Sequence, residues 1–163
     1  MIALPRPRPT VCTRSTVVLS AVMLTLVVST RWVKFNIEPS VPTGLYTVHT
    51  LPPTLERGML VVLPVPAVMR PWHWRPLLKP VVAVAGDQVC ALSVGLWING
   101  EPYGVIYTEA YGKPLPRLRG CFAVPEGHVF VASKAARSID GRYWGMTRVQ
   151  DLTMQAFPLW TWR

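Results

Sequence analysis

Hydrophobic positions along the chain fall into one long uncharged run and, after it, a series of short runs punctuated by Pro and Gly. The long run, residues 15–30, carries no charge and is bounded by Arg14 and Arg31. As a helix it reaches about 24 Å at ~1.5 Å per residue, short of the ~30 Å hydrocarbon core. Val11, Cys12 and Thr13 extend the span if the flanking arginines snorkel outward, and Trp32 stands where an interfacial aromatic belongs. The basic residues Arg6, Arg8 and Arg14 before the run also suit a cleavable signal peptide, but no Ala-x-Ala-like site follows. The expectation is an uncleaved anchor over 15–31 behind a basic tail, 1–14. The small excess of arginine before the span places that tail in the cytoplasm and the body, 32–163, outside it.

The short runs predict strands. Leu45–His49 and Met59–Leu63 flank the turn Glu56-Arg57-Gly58. The stretch 64–76, with four prolines, is irregular; its tryptophans either meet lipid headgroups or fold over the core. A strand pattern from Leu77 ends at Gly86-Asp87, and Asn99-Gly100 after Gly95-Leu-Trp-Ile98 is a hairpin signal. Residues 101–119 read as an irregular excursion. Gly120–Val124 and His128–Ser133, joined by Pro125-Glu126-Gly127, read as a second hairpin. The aromatic, basic C-terminus, Phe157–Arg163, suits interfacial contact as well as core packing.

With 163 residues there is room for one domain of ordinary size, and 17 Pro with 11 Gly favours a β-rich body over a helical bundle. The formal charge of +9 is spread without a Lys/Arg block. It suits an anionic lipid surface; no helix-turn-helix, zinc-finger or RNP-type pattern supports nucleic acid. Without a Cys-x-x-Cys no zinc site is expected, and no cofactor. Cys90 and Cys121 are the pair in the body: a disulfide in an oxidising compartment, two buried thiols in the cytosol.

Three segments carry candidate chemistry. Ser40 sits between Pro39 and Pro42 on a stiff, non-helical stretch that opens at Asn36. Lys79 is embedded in an apolar strand pattern; it either snorkels its ammonium to solvent or is buried, and burial can render it neutral and basic. Ser138-Ile-Asp140-Gly-Arg142 reads as a polar turn with an acid and a base two residues apart. A weak hydroxyl nucleophile needs a group to take its proton, and a desolvated amine can do so. His49, His73 and His128 show no pattern tying them to Ser40, and no Gly-x-Ser-x-Gly elbow exists.

The order and content of these segments resemble the signal peptidase I superfamily (peptidase family S26), most closely its TraF-type conjugative-transfer branch. Ser40-Val-Pro-Thr-Gly-Leu-Tyr46 matches the serine box, Lys79 through Gly86-Asp87 the lysine box, and Ser138 through Gly145 the last box. The Cys90/Cys121 spacing and Trp97-Ile-Asn-Gly100 are also similar. The resemblance implies a mainly β fold: a signal-peptidase-like β-rich catalytic domain behind one N-terminal transmembrane helix, single-pass in a bacterial inner membrane with its domain in the periplasm.

It further implies a Ser/Lys serine endopeptidase with Ser40 as nucleophile and Lys79 as general base. Ser138 would hydrogen-bond the lysine, and Asp140 pair with Arg142 or act more directly on catalysis. The implied partner is a protein substrate, a pilin precursor or another transfer-system protein, with small residues near the cut; some TraF-type relatives cyclise the pilin. A non-catalytic, membrane-anchored assembly component is the alternative. Self-cleaving repressors share the dyad but not the anchor. Two positions depart from the family pattern. Glu38 replaces a Ser or Thr whose hydroxyl helps the oxyanion hole, and Gly141 replaces a Ser.

Overall fold

Strands take up most of the chain after residue 32, for the reason its short alternating runs suggest: each has one face to bury. The computed structural model describes residues 12–162; most of the expected basic tail, residues 1–11, lies outside them. Helix α1, Cys12–Trp32, covers the stretch expected to be the anchor. Among the described residues, no helix is long and apolar enough to cross a membrane. The side chains of Arg14 and Arg31, expected to snorkel, are outside the described set.

A seven-stranded sheet follows the order β1 (Val33–Asn36), β2 (Thr43–His49), β13 (Met154–Trp162), β3 (Leu60–Leu63), β4 (Leu77–Ala83), β11 (His128–Val131), β12 (Thr147–Arg148). A four-stranded sheet is ordered β10 (Gly120–Ala123), β5 (Gln88–Leu92), β6 (Gly95–Ile98), β7 (Glu101–Val105), and β8 (Glu109–Ala110) with β9 (Lys113–Pro114) forms a small ribbon. All the pairings are antiparallel.

The core joins residues of both larger sheets: Val61, Leu77, Val81, Val89, Leu96 and Phe130 are buried in one cluster. A second cluster, Val41, Tyr46, Val48 and Ala156, lies beneath the loop between β1 and β2. Gly44 is obligatory there. Its φ is +145°, and a Cβ would stand 2.1 Å from the Trp160 carbonyl of β13.

The Asn99-Gly100 turn forms as its residues predict, both with positive φ, joining β6 to β7. Two other expectations are corrected. Gly120–Val124 and His128–Ser133 do not form a hairpin: β10 pairs with β5, while β11 pairs with β4 and β12. Burial gives the reason. Cys121, Phe122 and Ala123 are exposed on their ribbon, whereas Val129, Phe130 and Val131 are all buried, as in a central strand.

Nor is 101–119 irregular throughout, since it holds β7, β8 and β9. The C-terminal segment is the nine-residue β13, inserted between β2 and β3, with a register shift between Pro158 and Trp160. In the loop 64–76, Met69 is buried and Trp72 packs on the core, while Trp74 is 77 % exposed under the Arg75 guanidinium.

Candidate active site

Ser40 lies on the loop between the paired strands β1 and β2, where Asn36 stands opposite Gly44. The Asn36 carboxamide braces the loop from within. Its Nδ2 donates to the carbonyls of Glu38 at 2.9 Å, Pro42 at 3.3 Å and Val41 at 3.4 Å, and its Oδ1 accepts the Glu38 N–H at 3.3 Å. The Tyr46 hydroxyl donates to the Pro42 carbonyl at 2.5 Å, and Val41 plugs into the second core cluster. The Ser133 hydroxyl holds the Ser40 carbonyl. Ser40 is therefore fixed at both flanks and through its own backbone, with 9 % of its surface exposed.

Lys79 comes from β4, where burial alternates with a period of two: Leu77, Lys79, Val81 and Ala83 face inward. The lysine is on the core face of a strand and is 1 % exposed. It does not snorkel. Burial pulls its pKa below the usual lysine value; the carboxylates of Glu38 and Asp140 act in the opposite direction, and Arg142 adds to the lowering.

Ser138, Asp140 and Arg142 lie around the short helix α2, Gly141–Trp144. Asp140 caps that helix, accepting the Arg142 N–H at 3.2 Å, and also accepts the Ser133 N–H at 3.0 Å. Its carboxyl is pushed up by burial, opposed by Arg142 and by these N–H donors. Ser138 also favours the ionised carboxylate by proximity, yet its Oγ has no hydrogen-bond partner. Arg142 is fully buried. Its guanidinium donates to the Ser133 carbonyl and, at 3.4 Å each, to the carbonyls of Val105, Ala135 and Ala136. Arg142 Nε stands 3.4 Å from Asp140 Oδ1.

Ser40, Lys79 and Ser138 line one cavity of about 250 Å3, with Glu38, His73 and Arg137 also in its walls. Asp140 and Arg142 do not line it. They sit behind it and set the loop that presents Ser138, and through Ser133 they reach the Ser40 backbone. The expected hydrogen bond from Ser138 to Lys79 is not formed, and Ser40 Oγ also has no partner. Glu38 occupies the lysine instead: its Oε2 is 3.6 Å from Lys79 Nζ. Its Oε1 is 2.9 Å from His73 Nε2, a close approach without hydrogen-bond alignment.

Ser133 and His73 were not legible as site residues. Ser133 belongs to no motif, and His73 stands between Trp72 and Trp74 in an irregular, proline-rich loop. The Glu38 departure was the one signal that something other than an oxyanion donor stands at that position. Among the described residues no group of His, Cys, Asp and Glu is arranged to hold a metal ion. Cys90 and Cys121, directly opposite on β5 and β10, are joined as a disulfide across 31 residues.

A family model described as signal peptidase, peptidase S26, matches residues 10–161. The chain belongs to the S26 signal peptidase family. Its relatives place it in the TraF-type branch. The plasmid transfer protein TraF of Escherichia coli is 28 % identical over 149 residues, covering 79 % of this chain and 83 % of that protein. The conjugal transfer protein TraF of Agrobacterium fabrum is 30 % identical over 146 residues, covering 78 % and 82 %. That of Agrobacterium tumefaciens is 31 % identical over 157 residues, covering 85 % and 88 %. A crystal structure of a signal peptidase I from Enterococcus faecalis is 20 % identical, with a TM-score of 0.37 over 64 % of this chain and 96 % of that one. By its family match and its sheets, the body is a mainly β, signal-peptidase-like S26 domain, and the family implies a protein substrate.

Proposed function

We propose that this S26 protein is a membrane-anchored serine endopeptidase that uses Ser40 as nucleophile and Lys79 as general base. The observation that carries the reading is the convergence of a rigidly held serine and a fully buried lysine on one cavity. A lysine whose pKa is lowered by burial takes the Ser40 proton, and the freed alkoxide attacks the scissile carbonyl. The amine leaving group departs with a proton from Lys79. Water, deprotonated by the same lysine, then releases the acyl group from Ser40. Where an amine of the substrate attacks instead, the product is cyclic. The Ser40 backbone N–H is available to the oxyanion; Glu38 supplies no hydroxyl beside it.

The strands supply a place for the substrate. β1 is the outer strand of its sheet, and residues 77–79 of β4 pair with β3 while β11 joins only from residue 81. Both segments line an apolar groove of about 500 Å3, with Phe35, Asn36, Leu77 and Leu78 in its walls, and both run on into the catalytic loop and Lys79. An extended peptide adding to these edges delivers its carbonyl to Ser40. The substrate is a pilin precursor or another conjugative-transfer protein, as the transfer relatives' names suggest.

The exposed aromatics on β1 and β13 stand beside α1: Phe35 lies 5.9 Å from Trp162, and Trp32 lies 6.3 Å from His49. That belt, beside the uncharged run 15–30, is the basis on which we place the protein at the inner membrane with its domain in the periplasm, where a Cys90–Cys121 disulfide is stable. The test is processing of a co-expressed pilin precursor. Ser40→Ala and Lys79→Ala each abolish it and Lys79→Arg does not restore it, since guanidinium stays charged. Full processing by Ser40→Ala refutes the dyad. The Glu38–Lys79 contact favours a second reading, a non-catalytic assembly component in which the lysine is permanently an ammonium; unaltered transfer with Lys79→Met would support it.

A further inference from the structure

A second cavity adjoins the catalytic one. Its volume is about 350 Å3, within the ~300–1,000 Å3 typical of ligand pockets. It shares Arg137, Ser138 and Ile139 with the site cavity, so Ser138 separates the two chambers. Trp72, adjacent to His73 of the catalytic cavity, forms part of its wall, with Tyr107, Tyr111 and Tyr143. The apolar strand groove described above approaches Ser40 along β1 and β4, and shares none of the residues of this chamber. A polypeptide held in that groove and passing Ser40 would meet this aromatic chamber next.

Two features of the chamber bear on what it holds. The indole N–H of Trp72 is buried without an acceptor, a desolvated donor that an incoming carbonyl would satisfy. Tyr111, at the tip of the β8–β9 ribbon, is 94 % exposed, and its φ of +52° is the one that a two-residue turn between paired Ala110 and Lys113 requires. Gly112, also at positive φ, completes the turn that puts this ring at the rim. An exposed tyrosine set by this turn at the wall of the chamber is placed to contact a bound side chain.

We propose that this chamber is a substrate subsite that takes a bulky aromatic or aliphatic side chain lying across the scissile bond from the residues held in the strand groove. The enzyme then reads both sides of its cut: small residues near the bond in the groove, and a large apolar residue beyond Ser138. The Trp72 N–H anchors the substrate backbone, and Tyr111 closes over the bound side chain. This inference rests on the peptidase reading, and its test is built to fail separately.

The probes are dye-labelled peptides with small residues on the groove side of the cut and Phe, Leu or Ala scanned through each position on both sides. They are measured on the detergent-solubilised full chain. Binding is read by fluorescence polarisation on Ser40→Ala, which needs no cleavage, and kcat/KM is read on the unsubstituted protein. The expected result is one position beyond the cut where Phe or Leu binds roughly 10- to 100-fold more tightly than Ala, the worth of burying one large apolar side chain. Tyr111→Ala, whose ring is in solvent, leaves the fold intact and shrinks that ratio several-fold, and Trp72→Phe weakens all peptides while preserving the ratio. Equal binding of the Phe, Leu and Ala peptides overturns the subsite, as does a preference that Tyr111→Ala leaves unchanged or one confined to the groove side. Selective binding without Ser40-dependent cleavage would sink the peptidase reading and leave the chamber standing.

Discussion

On the proposed Ser40/Lys79 mechanism, Glu38 decides how available the base is, and replacing it isolates that effect. Its carboxylate lies 3.6 Å from Lys79 Nζ. At that distance the attraction is about 1 kcal/mol at the dielectric of water and about 5 kcal/mol at an effective dielectric near 20. Lys79 is buried but Glu38 is 28 % exposed and shares its charge with His73, so a middle value of about 2–3 kcal/mol applies. Each 1.36 kcal/mol is a factor of ten between the ammonium and the amine. Glu38→Gln therefore raises the neutral fraction of Lys79 by roughly 30- to 150-fold at any pH where the ammonium predominates. The sign follows from the opposing causes. Burial lowers the lysine pKa and Glu38 raises it, so loss of the carboxylate lets burial act more fully, with Asp140 still opposing and Arg142 still assisting. In the pH profile of kcat/KM for peptide cleavage, the acid limb moves to lower pH. An acid limb that stays in place or moves upward refutes the restraint, and a uniform fall in kcat at every pH shows that Glu38 contributes to catalysis itself.

Two predictions concern the frame around the site. Asp87 accepts from Arg57, from the Val84 N–H at 2.8 Å and from Asn99 Nδ2 at 3.0 Å, and its pKa is lowered to about 2, chiefly by the Arg57 hydrogen bond. A depressed carboxyl pKa stabilises the fold above the unfolded value near ~4 and loses that stabilisation as pH falls through about 2. With the Arg57 side chain 56 % exposed, Asp87→Asn costs about 1–2 kcal/mol at neutral pH and almost nothing at pH ~2, as denaturant titrations at the two pH values would show. Gly141→Ser restores the residue of the family pattern, yet a Cβ there would stand 2.8 Å from the Val131 carbonyl and 2.9 Å from the Phe130 ring. Overpacking against backbone costs about 1–3 kcal/mol, and an unchanged melting temperature would refute the close approach.

How far the fold could be read from residues depends on whether the signal was local. β4 was legible because its pattern of Leu77, Lys79, Val81 and Ala83 has the period of a strand, and the hairpin at Asn99-Gly100 because both residues tolerate positive φ. The serine loop declared its stiffness through Pro39 and Pro42. β13 did not declare itself: Pro158 and a run of exposed aromatics obscure the alternation, and its place between β2 and β3 is set by partners far away in the chain. The false hairpin at 120–133 arose for the same reason, since two apolar runs around a turn give no sign that they join different sheets. Within the site, the chemistry-bearing boxes were visible, but the bonds that tie them together were not. Ser133 reaches Ser40 across 93 residues, and Glu38 meets Lys79 only in the folded chain.

The polar groups of the site also bear on the choice between enzyme and passive component. Lys79, Asp140 and Arg142 are almost wholly withdrawn from water, and Ser40 Oγ and Ser138 Oγ are buried without partners. Each buried charge carries a desolvation penalty that pairing only partly offsets, and apolar residues of similar volume often stabilise a core better. The Asp140–Arg142 pair has a structural use, because it orders the loop that carries Ser133 and Ser138. Lys79 has no such use. It is on the core face of β4, where Leu77, Val81 and Ala83 show what the fold itself calls for, and its one close ionic partner among the described residues is a partly exposed glutamate at the cavity wall. A scaffold with no chemistry to perform would gain stability from a methionine at 79. On the proposed mechanism the lysine takes a proton from a hydroxyl, and Ser40, in the wall of the same cavity, carries one.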